Sequence, residues 1–510
     1  MHRETLSPST LPAWSKLNDI SFFDIHIQDL THEEKGLGLV ATRKLNSKDT
    51  CERPTLMEIP GDLVLSAEGL EEWKRVDGRL REVLERWGGK SLRRDIMVFL
   101  LIHISREEDG KSLGVKNPWT EYVKVLPGHI PVPTMWSEEE RMLLTGTSLE
   151  PALAAKMSVL TREFEELREA TESIAWCYKC WWQNSTLNIE DWVLLDAWFR
   201  SRSLELPNSG ESMVPCMDMA NHSSKANSYY EQTTNGGVVL LLRPDMELEA
   251  TEEITFSYGD LKSDAEMLFS YGFIDEKTST SQVLVLPLEP MSEDPLGKAK
   301  IAGFMGRRVI TISTDQEGAS WTSPFLYFIC LNEEDGLDFK VLQQTDGEQS
   351  PLRVFWRESD VTEVTDNFES LIEDHELQDV FKLRVVTLLE DHVESQLERL
   401  NKCDGAVQSL SRQVEAACES TISIRRDALT TLLISMVEIS PTVEKNALRL
   451  RASEMLILQK ASTAIETQKA KLLESEVVLR YLGMFGKDES EESAPVLVTK
   501  DDDDVDEDFS

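Results

Sequence analysis

The sequence predicts an α+β protein in which strand-rich segments are separated by long helical blocks. Short alternating stretches dominate residues 15–68 and 201–288. Between them, apolar residues recur at three- and four-residue steps through residues 69–200, and this helical spacing returns from about residue 365. We therefore expect a strand-rich unit that is split by a helical insertion and followed by a mainly helical domain.

The N-terminal segment reads as short strands joined by turns. "FFDIHIQDL" and "GLGLVATRKL" flank a charged turn, and both favour extended structure. "PTLMEIPGDLVLS" predicts a further pair of strands, with the turn at Pro60 and Gly61. Gly36 and Gly38 allow the backbone to approach a flat or bulky group closely.

The helical block contains recognisable helix starts and apolar faces. Apolar residues from Trp73 to Trp87 follow the helical period. Ser137 and Glu140 form a capping-box pattern at a helix start. A long amphipathic helix is predicted after this start, with its apolar face continuing as far as Ile174.

Strands return after residue 201. "GVVLLLRP", "EEITFSYG" and "SQVLVLPL" each predict one strand. In the second, Ile254, Phe256 and Tyr258 share one face because side chains alternate along a strand. In "NSYYEQ", Tyr229 and Tyr230 point to opposite faces for the same reason, so only one can enter a shared cavity.

The composition is that of a globular protein in a reducing compartment. Hydrophobic residues make up 41% of the 510 residues, and no apolar run approaches the roughly 20 residues that span a bilayer. The first residues lack the apolar core of a secretory signal, and the seven cysteines form no disulfide framework. We expect a cytosolic or nuclear location and no membrane contact.

Charge indicates the class of partner. The 53 Lys and Arg residues against 92 Asp and Glu residues give a net charge of −39. Residues 488–510 carry much of this charge and are predicted to form a disordered acidic tail. An acidic surface repels nucleic acid and attracts basic protein segments. We therefore expect a protein partner with a basic segment and no nucleic acid, although the charge could also serve solubility alone.

Three short motifs do not predict chemistry. "GKSLG" at Gly110–Gly114 matches a serine nucleophile elbow, but a charged loop precedes it where a buried strand is required. Cys177 and Cys180 form a C-x-x-C without a second ligand pair, so two packed cysteines are expected and no metal site. His222 has no carboxylate or histidine cluster around it in the sequence.

Three stretches in one order identify a family resemblance: "KGLGLVA", "VPCMDMANHS" and "EEITFSYGDLKSDAEMLFSYGFI". Together they resemble the SET-domain protein methyltransferases of the Rubisco large-subunit methyltransferase-like branch. The resemblance covers most of residues 15–480 in layout and is densest over 200–275. It implies a β-rich SET core with a pseudoknot, a long helical insertion and a helical C-terminal substrate-binding domain. The implied units are residues 15–68 and 201–288 for the core, 69–200 for the insertion, 289–487 for the C-terminal domain and 488–510 for the tail.

The resemblance also implies a cofactor and the residues that bind it. In the family, the chain around the "NH" dipeptide threads the pseudoknot and its backbone contacts the adenine of S-adenosyl-L-methionine. The cofactor-binding residues implied here are Gly36, Leu37, Gly38, Arg202, Asp218, Asn221, His222 and Tyr258. This sequence departs from the family at Lys35, where an acidic residue often precedes the first glycine.

Catalysis is assigned by the same resemblance. Tyr258 of "FSYG" matches the catalytic tyrosine, whose hydroxyl orients the amine and the transferring methyl group. The implied substrate channel is formed by Tyr230, Phe256, Tyr271 and Phe273. Of the tyrosine pair, Tyr230 is chosen because Glu231 follows it as in the family, with core packing as the alternative.

These assignments predict a monomeric protein-lysine N-methyltransferase that acts on a histone or another protein. Two alternatives stay open at this point. The branch includes a histidine-modifying enzyme, so a histidine nitrogen could be the acceptor. The chain could also be a catalytically silent SET-domain module that docks basic proteins.

Overall fold

The structure, a computed structural model, describes the greater part of the chain. The described residues are 3–33, 35–48, 54–107, 110–259, 262–275, 282–290, 293–316, 318–341, 352–424 and 439–484. The predicted acidic tail at 488–510 lies outside them.

The N-terminal segment forms one helix and five strands. They are α1 (Leu11–Leu17), β1 (Ser21–Phe22), β2 (Ile25–Asp29), β3 (Leu37–Ala41), β4 (Leu45–Asn46) and β5 (Thr55–Ile59). Of the two strands predicted around Pro60, the first is confirmed as β5 and the prediction of the second is wrong. A 3₁₀ turn at Gly61–Leu63 follows β5, and the second stretch makes only an isolated bridge between Leu65 and Met213. Because the chain enters a helix two residues later, that stretch is too short for a strand.

Helices fill the next 130 residues. They are α2 (Ala67–Val76), α3 (Gly78–Trp87), α4 (Leu92–Ile104), α5 (Pro118–Tyr122), α6 (Glu138–Met142), α7 (Leu149–Thr171), α8 (Ala175–Cys177), a π-helix (Tyr178–Trp182) and α9 (Ile189–Arg202). The capping box of Ser137 and Glu140 starts α6 as predicted. The long helix α7 ends at Thr171, so Ile174 packs in the core from beyond the helix.

The second strand-rich segment completes the sheets begun by the first. It contains β6 (Ser203–Leu206), β7 (Gly210–Met213), β8 (Asn221–His222), β9 (Ser228–Gln232), β10 (Val238–Leu242), β11 (Glu247–Leu248), β12 (Glu253–Phe256) and α10 (Asp264–Tyr271). Two four-stranded sheets have the orders β1-β5-β10-β9 and β2-β3-β12-β8, and β4 pairs with β11. Segments on either side of the helical insertion therefore form one unit.

The C-terminal part is more strand-rich than predicted. Its elements are β13 (Gln282–Pro287), α11 (Gly297–Gly303), β14 (Val309–Thr314), β15 (Ala319–Thr322), α12 (Pro324–Ile329), β16 (Leu337–Val341), β17 (Leu352–Trp356), β18 (Ser359–Asp360), α13 (Phe368–Glu373), α14 (Gln378–Ile424), α15 (Pro441–Leu473) and α16 (Glu476–Tyr481). Two three-stranded antiparallel sheets, β13-β14-β15 and β16-β17-β18, precede the long helices. Only β13 was predicted, because the other strands are short and polar on one face.

A hydrophobic junction joins the three parts. The insertion contributes Trp136 and Leu149, the core unit contributes Leu268, and α15 contributes Ala447 and Leu450 to one buried cluster. Helix α15 therefore packs against both the insertion and α10. Within the described residues, no helix combines the length and apolarity needed to cross a bilayer.

A buried carboxyl lies at the same junction. Glu454 of α15 is 2% exposed and accepts hydrogen bonds from the backbone N (2.9 Å) and the Oγ (2.5 Å) of Ser148, at the start of α7. Burial raises the pKa of Glu454 from 4.5 to about 7. The folded state therefore retains this proton at pH values where the unfolded chain has lost it.

We expect Glu454→Gln to stabilise the fold above neutral pH. Stability from this site is present below pH 4.5 and is lost as pH rises to about 7, because the buried carboxyl must ionise. At pH 8 the amide removes that penalty, which is worth up to about 3 kcal/mol. Thermal unfolding at pH 5 and pH 8 measures the difference. The exposed Glu466 on the same helix provides the control Glu466→Gln, and an equal response of both variants would contradict the prediction.

Candidate active site

The segment that leads to Asn221 takes a tightly constrained path. After β7, Cys216 adopts a left-handed backbone conformation (φ 68°), and a 3₁₀ turn at Met217–Met219 follows. The chain then enters β8, which pairs in parallel with β12, so that Asn221 lies opposite Thr255. Parallel neighbours require a long connection, and here the intervening chain forms β9 to β11 before it returns. Asn221 and His222 therefore lie within the sheet, and Asp218 lies in the turn that leads into it.

Asn221 links this segment to the glycine turn. Its Nδ2 donates to the carbonyl oxygen of Leu37 at 3.2 Å and to Oε1 of Glu253 at 2.8 Å. Gly36 has a φ of +73°, a conformation that glycine adopts without strain. A Cβ atom on Gly38 would overlap Leu30 and lie 3.1 Å from Asn221 Nδ2. The structure therefore brings together two motifs that are 185 residues apart in the sequence, and a side chain at position 38 would displace Leu30.

Lys35 has a specific place in this arrangement. Its Nζ lies 2.5 Å from Oε2 of Glu253, whose other carboxylate oxygen accepts from Asn221. Lys35 is 44% exposed at its side chain, whereas Glu253 is 17% exposed. Sequence reasoning missed Glu253. In the sequence, Glu253 begins the strand segment "EITF" directly before its buried residues, and this position is the feature that could have indicated its role.

Arg202 and Asp218 form a partly buried ion pair. Arg202 Nη1 lies 3.1 Å from Asp218 Oδ2 and also donates to the Asp218 carbonyl oxygen at 3.2 Å. The hydroxyl of Tyr122 donates to the other carboxylate oxygen and accepts from the backbone N of Cys216. Burial raises the pKa of Asp218, while the Arg202 guanidinium opposes the shift. The pair fixes Arg202 against the segment before Asn221.

Tyr258 lies at the centre of an aromatic cluster. Its hydroxyl donates to the carbonyl oxygen of Ala220 at 2.9 Å, and its backbone N donates to Nδ1 of His222 at 3.1 Å. The ring centroid lies 4.5 Å from that of Tyr271 and 5.2 Å from that of Phe256. Burial raises the pKa of Tyr258 well above its usual value. The hydroxyl therefore stays protonated at neutral pH and can donate a hydrogen bond.

A cavity of about 280 Å³ opens beside this cluster. Six of the predicted site residues line it: Arg202, Asp218, Tyr230, Phe256, Tyr258 and Tyr271. The other six do not: Gly36, Leu37, Gly38, Asn221, His222 and Phe273. The segment of Asn221 and His222 lies next to the cavity, because Tyr258 lines the cavity and contacts both Ala220 and His222. The structure thus separates the predicted residues into a cavity wall and an adjoining turn.

Tyr229 and Tyr230 are adjacent residues of β9 and make different contacts. Tyr230 lines the cavity, with its ring 5.5 Å from that of Phe256 and its hydroxyl 3.1 Å from the Glu205 carbonyl oxygen. Tyr229 instead lies under the guanidinium of Arg243, at 6.0 Å. The ring of Phe273 lies 6.1 Å from that of His222. Tyr230 is therefore the residue of the pair that can contact a ligand in the cavity.

Two carboxylates in the cavity wall were missed from the sequence. Glu205 and Glu211 lie directly opposite each other in the β6–β7 hairpin, and both line the cavity. Burial and the neighbouring Glu205 raise the pKa of Glu211. Like charges placed opposite each other destabilise a strand pair, so a cationic ligand in the cavity would relieve this repulsion. In the sequence, the two glutamates lie symmetrically about the "PNSG" turn, and this spacing is the feature that could have indicated that they face each other.

The two cysteines of the C-x-x-C motif lie in adjoining helical segments. Cys177 is buried in α8, and Cys180 lies in the π-helix that follows. Burial raises the pKa of the Cys177 thiol, which disfavours the thiolate that a metal requires. Across the described residues, no group of three His, Cys, Asp or Glu side chains is placed to hold a metal ion.

Comparison with known proteins shows which proteins the chain resembles. No family model matches the chain. SET domain-containing protein 8 of Schizosaccharomyces pombe is 27% identical over 431 residues, which cover 81% of this chain and 94% of that protein. The ribulose-1,5 bisphosphate carboxylase/oxygenase large subunit N-methyltransferase of Pisum sativum is 26% identical over 324 residues, or 59% of each chain. The crystal structure of the SET domain of LSMT bound to lysine and AdoHcy superimposes with a TM-score of 0.61 at 17% identity, over 94% of this chain and 96% of that one.

The chain is similar over most of its length to a SET domain-containing protein, and it shares the fold of the SET domain of LSMT. The predicted fold class is confirmed: an α+β protein with a β-rich SET core and pseudoknot, a helical insertion and a helical C-terminal region. The pea relative is matched over 59% of its length. The domain boundaries and the roles of the individual site residues stay predictions.

Proposed function

We propose that the chain transfers the methyl group of S-adenosyl-L-methionine to a lysine nitrogen of a protein. The observation that carries this proposal is the position of Tyr258. Its hydroxyl donates a hydrogen bond to the carbonyl oxygen of Ala220, one residue before Asn221, and the residue forms part of the cavity wall. A bound nucleoside beside Asn221 and an amine in the cavity would therefore meet at this side chain.

The residues around the glycine turn fit the cofactor. The hydrogen bond from Asn221 to the Leu37 carbonyl oxygen holds the glycine turn beside β8, and we infer that the backbone groups of these two segments bind the planar base. Arg202 lines the cavity, and its buried Nε has no hydrogen-bond acceptor within the described part of the chain. We propose that Gly36, Leu37, Asn221 and His222 hold the nucleoside, while Arg202 faces the carboxylate end. When bound, S-adenosyl-L-methionine supplies an electrophilic methyl group on a positively charged sulfur.

The chain's own residues would position an uncharged amine. Loss of the proton from lysine at pH 7 costs about 4–5 kcal/mol in water, and a desolvated channel lowers this cost. Tyr230, Phe256 and Tyr271 form apolar walls around the cavity. Tyr258 contributes a hydroxyl whose proton is retained because burial raises its pKa. Orientation of the amine then supplies most of the rate enhancement.

One wall of the cavity presents carboxylates to a cationic substrate, whereas Arg200, Arg202 and Lys262 line other parts of it. Glu205 and Glu211 present two carboxylates in the wall, and desolvation together with the Glu205 charge raises the pKa of Glu211. This arrangement attracts a protonated lysine as it enters, and an overall charge of −39 favours a basic segment around it. We propose that the protein acts as a monomer in the cytosol or nucleus.

Transfer from labelled S-adenosyl-L-methionine to a cell lysate tests the proposal. We expect labelled protein, and peptide mass spectrometry should locate the methyl group on lysine. A methyl group on histidine would replace the proposed acceptor with the alternative one. Cofactor binding without any labelled protein would contradict catalysis and favour the silent binding module.

We expect Asn221→Ala to weaken cofactor binding by about tenfold or more. The change removes the donor to the Leu37 carbonyl and one donor to Glu253, and an unmade buried hydrogen bond costs roughly 1–3 kcal/mol. Lys35→Ala is the matched control because it removes the exposed half of the same network, where an ion pair contributes about 0–1 kcal/mol. Calorimetric titration with S-adenosylhomocysteine measures both. Equal losses in the two variants would show that the glycine turn is not held by Asn221.

A further inference from the structure

Two side chains of α15 hold the backbone on either side of Phe273. The buried Asn446 donates from Nδ2 to the Gly272 carbonyl oxygen at 3.3 Å. Arg449 donates from Nη2 to the Asp275 carbonyl oxygen at 2.6 Å. The two residues are three positions apart, so they project from one face of the helix. Together they fix the backbone before and after Phe273.

The same face of α15 also holds the other end of α10. Ser453, a further four positions along, donates from Oγ to Asp264 Oδ2 at 2.7 Å. Asp264 is the first residue of α10 and Tyr271 is the last. Between these ends, Leu268 and Leu450 belong to one buried cluster. Helix α10 is therefore fixed along its whole length to the C-terminal part of the chain.

Gly272 is held from the opposite side by the insertion. Its φ is +84°, and a Cβ atom there would lie 2.7 Å from the carbonyl carbon of Pro131. Trp136 in turn donates from Nε1 to the Pro131 carbonyl oxygen at 2.9 Å. The turn after α10 is thus confined between Pro131 and Asn446, and it cannot shift without loss of one of these contacts.

This confined turn carries the residues that complete the site. The ring of Tyr271 lies 4.5 Å from that of Tyr258, and the ring of Phe273 lies 6.5 Å from it. Asp275 Oδ2 lies 4.0 Å from His222 Nε2. A displacement of the turn would move one aromatic wall of the cavity relative to the Tyr258 hydroxyl.

We propose that Asn446 and Arg449 are positioning residues for methyl transfer. They act through the backbone of the turn and set the positions of Tyr271 and Phe273. The C-terminal part then does more than provide a surface for the substrate, because it helps to shape the cavity in which the amine is oriented. This proposal rests on the proposed function for its kinetic consequence, whereas its structural consequence can be measured without activity.

The test compares the full-length wild type with Arg449→Ala and with the double variant Asn446→Ala/Arg449→Ala. The protein contains eight tyrosines, so 3-fluorotyrosine labelling gives few ¹⁹F resonances, and Tyr271→Phe identifies the one required. We expect this resonance to shift in both variants. With the protein that the wild type labels in the lysate as substrate, kcat should fall by about 10- to 100-fold, since small misplacements have effects of this size. The KM and the Kd of S-adenosylhomocysteine should change by less than about twofold.

Two controls isolate the positioning role. Lys460→Ala changes an exposed cation on the same helix and should leave both measurements unchanged. Arg449→Lys retains a donor and should recover much of the lost rate. If the double variant does not fold, Arg449→Ala alone carries the test, because this side chain is only half-buried. An unmoved Tyr271 resonance in a folded variant overturns the proposal even when the wild type labels nothing. A raised KM with unchanged kcat also overturns it, since that result assigns the contacts to substrate docking.

Discussion

Tyr258→Phe should reduce methyl transfer by about 10²- to 10³-fold, the usual effect of removing one oriented donor from an active site. The change deletes the hydroxyl that donates to the Ala220 carbonyl and leaves the ring contacts with Phe256 and Tyr271 in place. Because burial keeps the pKa of Tyr258 high, the donor is present throughout the neutral range. Initial rates with labelled S-adenosyl-L-methionine measure the loss.

A second tyrosine serves as the control for this experiment. Tyr178 is 46% exposed in the π-helix of the insertion, and Tyr178→Phe should retain the wild-type rate. Affinity for S-adenosylhomocysteine should change little in Tyr258→Phe, because the residues around Asn221 are untouched. A Tyr258→Phe variant with the full rate would exclude this hydroxyl from the chemistry.

Asp218→Ala should destabilise the protein by about 1–3 kcal/mol, because it leaves the partly buried Arg202 guanidinium without its hydrogen-bonded partner. The hydroxyl of Tyr122 would lose its acceptor in the same step. The carboxylate is 3% exposed, so water cannot readily replace it. Denaturant unfolding measures the change in the free energy of unfolding.

Asp218→Asn separates the charge from the hydrogen bonds. The amide oxygen can still accept from Tyr122, but the charge opposite Arg202 is gone. We expect a loss of stability smaller than that of the alanine variant, together with weaker cofactor binding if Arg202 shifts from the cavity wall. Equal stability of both variants and the wild type would mean that the ion pair contributes nothing measurable.

The order of motifs was sufficient to predict the core, because each motif has a role that depends on local backbone shape. "KGLGLVA" and "VPCMDMANHS" imply a close backbone contact, and the bond from Asn221 to the Leu37 carbonyl is such a contact. Strand alternation predicted that only one of Tyr229 and Tyr230 could enter a cavity, and the family resemblance at Glu231 selected Tyr230. Helix signals with a physical cap, such as Ser137 with Glu140, also predicted the correct element.

Other features depend on contacts between residues that are far apart in the sequence, and short local patterns do not predict such contacts. Glu253 matters because it links Lys35 to Asn221, and those residues are 186 positions apart. The β16-β17-β18 sheet was missed because its short strands are stabilised by one another and by the core beneath them. The role of Asn446 is visible only once α15 lies against the Gly272 turn.

A crystal structure of the full chain with S-adenosylhomocysteine is the most direct test of the central claim. The account predicts the adenine within hydrogen-bonding distance of the backbone at Asn221 and His222, with the sulfur facing the cavity beside the Tyr258 hydroxyl. A nucleoside bound elsewhere, or this position empty at saturating ligand, would contradict it.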